Sequence, residues 1–162
     1  MDDIFFLADR TVGQLAKWLR LTGFDCAYND SPKPAEVLKQ ARNEHRLILT
    51  KNTRLAACCE PDECLFIEAD RSVDQLKYVL TKLNLSIDNE RVFTICSLCN
   101  ERLLNRAREE VRGLVPPYVF AHQEQYRQCP RCQRLYWGGT HKARMIERLD
   151  AIFSLSKQGK DV

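Results

Sequence analysis

Ile4-Phe5-Phe6-Leu7-Ala8-Asp9, continued by Arg10-Thr11-Val12-Gly13-Gln14-Leu15-Ala16-Lys17-Trp18-Leu19-Arg20-Leu21-Thr22-Gly23, is the stretch whose reading decides the fold. Its first half is an unbroken apolar run with two aromatics, the pattern of a strand covered on both faces. In its second half Leu15, Trp18, Leu19 and Thr22 recur at i, i+3, i+4 and i+7, which predicts a helix with one apolar stripe. Gly23 is the expected stop. Asp9 therefore falls where a strand ends and a helix begins. In open parallel sheets that edge is where ligands gather. The residue type admits two roles there, a helix cap or a member of a site.

The alternation continues outward from this stretch. Phe24 to Tyr28 reads as a short strand, and Asn29-Asp30-Ser31-Pro32-Lys33-Pro34 as a turn cluster. Pro34 opens a helix carrying Val37, Leu38 and Ala41. Arg46 to Thr50 is a further strand, and Lys51 to Ala57 turns into a helix. Cys64 to Ile67 is another strand, with Glu68-Ala69-Asp70-Arg71-Ser72 as its exit. Ser72 is the expected N-cap of a helix whose apolar face is Val73, Leu76, Val79, Leu80 and Leu83. Strands alternating with helices through short connections predict parallel βαβ units, an α/β domain over residues 1–85.

Residues 86–93 read as a linker. Residues 94–156 differ in kind, with short β-like pieces around cysteine pairs and a Pro116-Pro117 turn. They are rich in aromatics (Tyr118, Phe120, Tyr126, Tyr136, Trp137). A closing helix, capped by Thr140, would present Met145, Leu149, Ile152 and Phe153. Residues 157–162 are expected to fray.

With 162 residues and 44% hydrophobic content, the chain can bury a core for one ordinary domain, or a small one with a satellite. No apolar run reaches the ~18–20 residues needed to cross a bilayer, so no membrane association is expected. Met1-Asp2-Asp3 offers no basic n-region, and no signal peptide is predicted. A cytoplasmic setting follows, in which eight cysteines suggest metal or thiol chemistry before disulfides. The net charge of +3 is uneven. Residues 1–93 hold 13 Lys+Arg against 15 Asp+Glu, and residues 94–162 hold 12 against 7. An acidic-leaning front and a basic back suit metal ions held beside a phosphate-binding surface.

Cys96-Ser97-Leu98-Cys99 and Cys129-Pro130-Arg131-Cys132 are two C-x-x-C pairs. Two such turns supply four soft ligands to one ion, the arrangement of a structural zinc site. Its job would be to fold a segment too small to hold itself together. Buried thiols or two disulfides are the alternative. Cys26, Cys58, Cys59 and Cys64 read as core or surface thiols. Of the three histidines, His141 beside Trp137-Gly138-Gly139 is the one best placed to touch a substrate, with a helix-terminal polar role as the plainer account.

Asp9, Asp30 and Asp70 each follow a predicted strand, and Asn52 holds the equivalent place after another. In a parallel sheet all four leave at one edge. Carboxylates converging there, above all Asp9 and Asp30, can hold Mg²⁺ or Mn²⁺. Such ions activate water and stabilise the leaving oxygen of a phosphodiester. Arg10, Lys17, Arg20, Lys51 and Arg54 could flank this edge and hold a phosphate backbone, or form a solvated face.

Leu7-Ala8-Asp9, the run Gly13 to Asp25, Tyr28-Asn29-Asp30 and Leu47-Ile48-Leu49-Thr50-Lys51-Asn52 resemble the Mut7-C RNase domain. So do Cys96-x-x-Cys99-Asn100, Val115-Pro116-Pro117-Tyr118-Val119, Cys129-Pro130-x-Cys132 and Tyr136-Trp137-Gly138-Gly139-Thr140-His141. The resemblance spans about residues 4–150. It implies a PIN-like three-layer domain with a central parallel sheet, followed by a zinc ribbon. It also implies a metal-dependent endoribonuclease with Asp9 and Asp30 at acidic positions of the family and Asp70 near a third. Asn52 departs from the family's usual aspartate and lowers the charge of the catalytic set by one. RNA, single-stranded or structured, is the expected partner, held by Lys51 and Arg54 and, on the ribbon, by Arg131, Arg134, Tyr136 and Trp137. The other readings are an inactive or weakened RNA-binding adaptor that keeps the fold, and a ribbon that serves a protein partner.

Overall fold

The computed structural model describes residues 3–157, apart from the side chains at 140, 141, 152 and 154–157. The expectations for residues 158–162, for Thr140 as a cap and for the side chains of His141 and Ile152 lie outside that description. The described chain divides into two compact units, residues 3–100 and 101–157.

The first unit is built on four short strands: β1 (Phe6–Asp9), β2 (Cys26–Asn29), β3 (Leu47–Thr50) and β4 (Cys64–Phe66). All pair in parallel, in the order β2-β1-β3-β4. Between them run α1 (Gly13–Leu21), α2 (Pro34–Glu44) and α3 (Thr53–Cys58), and α4 (Ser72–Lys82) follows β4. Parallel neighbours cannot be joined by a tight turn, so each crossover carries its helix over a face of the sheet. Leu7 and Ile48, paired in register, join Val37, Leu38, Ala41 and Leu55 in one core beneath α2 and α3. Side chains alternate along a strand, so Phe6, Ala8 and Leu49 belong to the opposite layer, where α1 packs on α4. Leu15, Leu19, Leu76 and Leu80 are fully buried there. Each contributes about 1.5–3 kcal/mol by leaving water.

Two expected caps are placed differently. Asp9 caps a 3₁₀ turn, Arg10–Val12, and α1 starts only at Gly13. Ser72 is the first residue of α4, with Arg71 in the cap position, and its hydroxyl accepts the Trp18 indole N–H at 3.2 Å. The hydroxyl is thus spent on joining α4 to α1.

Residues 86–95 are packed onto the first unit rather than spanning as a loose linker. Val92 and Ile95 are buried, the Phe93 amide donates to the Leu21 carbonyl at 3.0 Å, and the Arg91 guanidinium stands over the Phe24 ring. Gly23 makes this possible. Its φ is +92°, and a Cβ there would lie 2.6 Å from the Arg91 carbonyl oxygen.

The second unit holds an antiparallel sheet of β5 (Leu104–Arg106), β6 (Tyr126–Gln128) and β7 (Leu135–Trp137). It also carries α5 (Pro117–His122) and α6 (Thr140–Lys157). The 29 residues separating the cysteine pairs bring their own core, Val111, Val115 and Tyr126, supported by Val119, Phe120 and Leu135. The Tyr126 hydroxyl bridges the Val119 and Gln123 carbonyls, so its burial leaves no polar group unsatisfied.

Gly23→Ala forces a side chain into a left-handed backbone and against the Arg91 main chain. We expect a stability loss of about 2 kcal/mol or more in denaturant titration. An unchanged midpoint would show that residues 86–95 are not seated as described.

Candidate functional site

In a 2-1-3-4 sheet the strand order reverses between β1 and β3, and the crevice beyond their carboxyl ends is the favoured ligand position. Asp9 ends β1 at that point. The register Ala8↔Leu49, extended by one residue, sets Asp9 beside Thr50. The Thr50 hydroxyl donates to Asp9 Oδ2 at 2.6 Å, and Asp9 Oδ1 accepts from the Thr11 amide at 2.9 Å and from the Thr11 hydroxyl. The Thr11 hydroxyl oxygen also accepts the Lys51 amide at 2.8 Å. Asp9 is 2% exposed, so this carboxylate is buried and held by three donors. The cap role is realised, and the side chain clamps the two central strands as well.

The other acidic candidates stand apart. Asp30 is exposed, one residue beyond the Asp9↔Asn29 pair of adjacent strands. Asp70 is almost fully exposed and carries an ion pair with Lys51, whose ammonium also donates to the Ala69 carbonyl at 3.0 Å. That ammonium holds the Asp70 carboxyl below its usual range. Asn52 is the N-cap of α3, its Oδ1 accepting from the amides of Arg54 at 2.9 Å and Leu55 at 3.4 Å. Among the described residues, Asp9, Asp30 and Asp70 do not form a cluster of metal-ligand spacing.

A cleft of about 680 Å³ adjoins this edge, lined among others by Arg10, Thr11, Lys17, Tyr28, Asp70 and Gln75. Arg10 and Lys17 are exposed within reach of its solvent. Arg54 is exposed outside it. Arg20, expected to hold phosphate, is 6% exposed and committed to the main chain. Its Nε donates to the Cys26 carbonyl at 2.7 Å, and its Nη1 donates to the carbonyls of Ser97 at 2.9 Å and Leu98 at 3.2 Å. Burial lowers its pKa, opposed by the field of Cys26, Cys96, Cys99 and Asp25. Asn100 completes the fastening from a left-handed backbone, φ 61°. Its Oδ1 accepts the Cys26 amide at 2.9 Å and its Nδ2 donates to Asp25 at 2.7 Å.

These two side chains fix the turn that presents Cys96 and Cys99. The ligand atoms of Cys96, Cys99, Cys129 and Cys132 all lie within 4.8 Å of one another. A tetrahedral zinc with Zn–S of ~2.3 Å spaces its sulfurs by ~3.8 Å, so the quartet could hold zinc with little contraction. None of the eight cysteines is in a disulfide. Burial pushes the thiols of Cys26 and Cys59 up to about 12, and raises that of Cys64. Burial thus disfavours the thiolate at all three.

The model of the Mut7-C RNAse domain family matches residues 5–149. The chain belongs to this family. Comparison with curated proteins and with solved structures finds no match. No helix of the described Mut7-C chain is long and apolar enough to cross a membrane.

On the second unit, Arg131 and Arg134 are exposed, Trp137 is 39% exposed and Tyr136 is half-buried. Sequence reading missed the hydroxyls of Thr11 and Thr50, the fastening by Arg20 and Asn100, and Tyr28 in the cleft. Thr50 was within reach of a register argument, because parallel strands of equal length end on neighbouring residues. The target of Arg20 carried no local signal, since its acceptors lie 77 and 78 residues away.

Arg20→Met removes the donors that hold the Cys96–Cys99 turn. We expect roughly tenfold or greater loss of zinc in chelator competition, the scale for groups that orient ligands. Lys17→Met, exposed on the same helix, should leave zinc retention unchanged. Equal retention in both variants would contradict the fastening role.

Proposed function

We propose that this Mut7-C domain is a metal-dependent endoribonuclease, with a PIN-like domain over residues 1–85 and a zinc ribbon over residues 94–156. The observation that carries the reading is Asp9 at the switch point of a parallel sheet, beside a cleft bearing Arg10 and Lys17, in a chain of an RNase family. RNA enters as substrate because the family is an RNase family and because exposed cations flank the edge. A three-carboxylate cage is not formed, because Lys51 engages Asp70 and Asn52 caps a helix. Mg²⁺, however, is commonly held by one or two carboxylates, with water and phosphate oxygens completing its shell. Asp9 and Asp30, leaving adjacent strands, are the residues that would hold Mg²⁺ or Mn²⁺. Such an ion activates water and stabilises the leaving oxygen of a phosphodiester. Arg10, Lys17 and Lys51 would bind and orient the phosphate backbone. The antiparallel sheet and the cysteine quartet, which could hold zinc, support the ribbon reading. The surplus of Lys and Arg over residues 94–162, with Arg131, Arg134, Tyr136 and Trp137, supports RNA binding there.

A second reading has specific support: a binding protein that retains the fold with weakened chemistry. Asp9 already accepts from three donors, Asp70 is paired with Lys51, and an amide stands at position 52.

Cleavage of mixed single-stranded RNA with Mn²⁺ tests the first reading. Asp9→Asn should lower the rate about 10²-fold or more, the scale of losing one positioned charged or polar group. Equal rates in the two proteins would remove Asp9 from the chemistry. Asn52→Asp separates the readings. A large gain in cleavage at unchanged RNA affinity supports the binding protein, and an unchanged rate supports a centre that does not need that charge.

A further inference from the structure

A second cleft, of about 300 Å³, lies wholly within the second unit and is lined by Tyr118, Val119, His122, Gln123, Trp137 and Gly138-Gly139. Among the described residues, no Asp, Glu, Lys or Arg lines it. Its volume is at the lower end of the ~300–1,000 Å³ of small-molecule sites, which limits it to a single ring system.

Its wall is held in place before any ligand arrives. Pro116 and Pro117 open α5 and fix the backbone from which Tyr118 and His122 project, four residues apart on one helix face. Their rings lie 4.2 Å apart at 31°, and His122 Nδ1 is 2.8 Å from the Tyr118 carbonyl oxygen, which sets the imidazole orientation. The Tyr118 side chain is otherwise given to solvent, at 73% exposure. Trp137 stands at the end of β7 with 39% exposure. Large aromatics held this open in a unit with a buried core are surfaces for stacking.

The glycine pair keeps the cleft open around a polar group. A Cβ at Gly139 would lie 3.3 Å from Gln123 Nε2, and one at Gly138 would lie 3.9 Å from Gln123 Oε1. Any side chain at position 139 would press on that amide. The amide makes no hydrogen bond to a described residue, although Gln123 is half-buried and its main-chain groups are both engaged. An amide offers two donors and one acceptor at one point of the cleft.

We propose that this cleft takes one unpaired nucleobase of single-stranded RNA. The base stacks on the exposed Tyr118 ring, and its polar edge is met by the Gln123 amide. The ligand must be flat, uncharged and hydrogen-bonding at its rim. A nucleobase meets all three, whereas a phosphate is neither flat nor uncharged. The 12 Lys+Arg against 7 Asp+Glu of residues 101–162 draw in the backbone that carries the base. The choice of RNA as the polymer rests on the ribonuclease reading above. The site itself contains none of the residues assigned to cleavage.

The test is binding of a fluorescently labelled RNA hexamer to the full chain with no Mg²⁺ or Mn²⁺ added, so that it neither needs nor reports cleavage. Tyr118→Ala and Gln123→Ala should each weaken binding, Tyr118→Ala by roughly tenfold, the scale of one lost base stack. The slope of log affinity against log salt should be unchanged, because no phosphate contact is removed. Gly139→Val should weaken binding similarly by closing the cleft. A hexamer with abasic positions should bind the unaltered protein about as weakly as the intact hexamer binds Tyr118→Ala. Zinc content and far-UV circular dichroism of each variant establish that the unit is folded. Unchanged affinity in folded Tyr118→Ala and Gln123→Ala, or equal binding of the abasic strand, overturns the proposal. Absence of cleavage by the unaltered protein overturns the ribonuclease reading alone.

Discussion

The bond between the Thr50 hydroxyl and the buried carboxylate of Asp9 joins the ends of the two central strands, at the fork where the sheet's order reverses. A buried carboxylate is costly unless its oxygens are met by donors. Here they are met by Thr50 and by the first turn after the strand. The same contact therefore fixes where the chain leaves β1, how the 3₁₀ turn forms, and where the Lys51 main chain sits. The chemistry proposed for this edge acts through a group that the fold already uses. That shared use explains the tension between the two functional readings. A carboxylate held for architecture is well oriented, but most of its acceptor capacity is already used by the fold.

Arg20 illustrates a second constraint. A guanidinium at 6% exposure would be costly without acceptors, and three main-chain carbonyls supply them. Two of those carbonyls belong to the turn between Cys96 and Cys99. The helix that follows the proposed catalytic aspartate thus also holds half of the cysteine quartet. Asn100 does the same from the other side of that turn through β2 and Asp25. Residues 86–93, which read as a linker, are seated on this unit, with Val92 buried and the Phe93 amide bonded to the Leu21 carbonyl.

Much of this was legible beforehand. The order of elements, the parallel sheet, the helix stripes of α1 and α4 and the cysteine quartet follow from periodicities and spacings that are local. So does the placement of Asp9, Asp30, Asn52 and Asp70 at one edge, because parallel strands all end on the same side. What was not legible is which of these groups are already occupied. Lys51 is four residues from neither of its acceptors in sequence, yet it spans from β3 to the exit of β4. The Ser72 hydroxyl, a natural cap by residue type, is drawn off by Trp18 of another helix. Such choices depend on distances between elements, and no periodicity encodes them.

The sequence by itself determined the α/β class of the first unit, the family to which the chain belongs and the four thiols that could hold zinc, because each rests on residue type at short spacing. Only the tertiary structure decided that Arg20 is a buried fastening rather than a phosphate contact, and that Tyr118, His122, Gln123 and Trp137 enclose one cleft. It also decided that Asp9 is held on both oxygens while Asp30 stands open. These are properties of burial and of contact between segments distant in sequence. They are fixed only when packing has chosen which polar groups must satisfy one another.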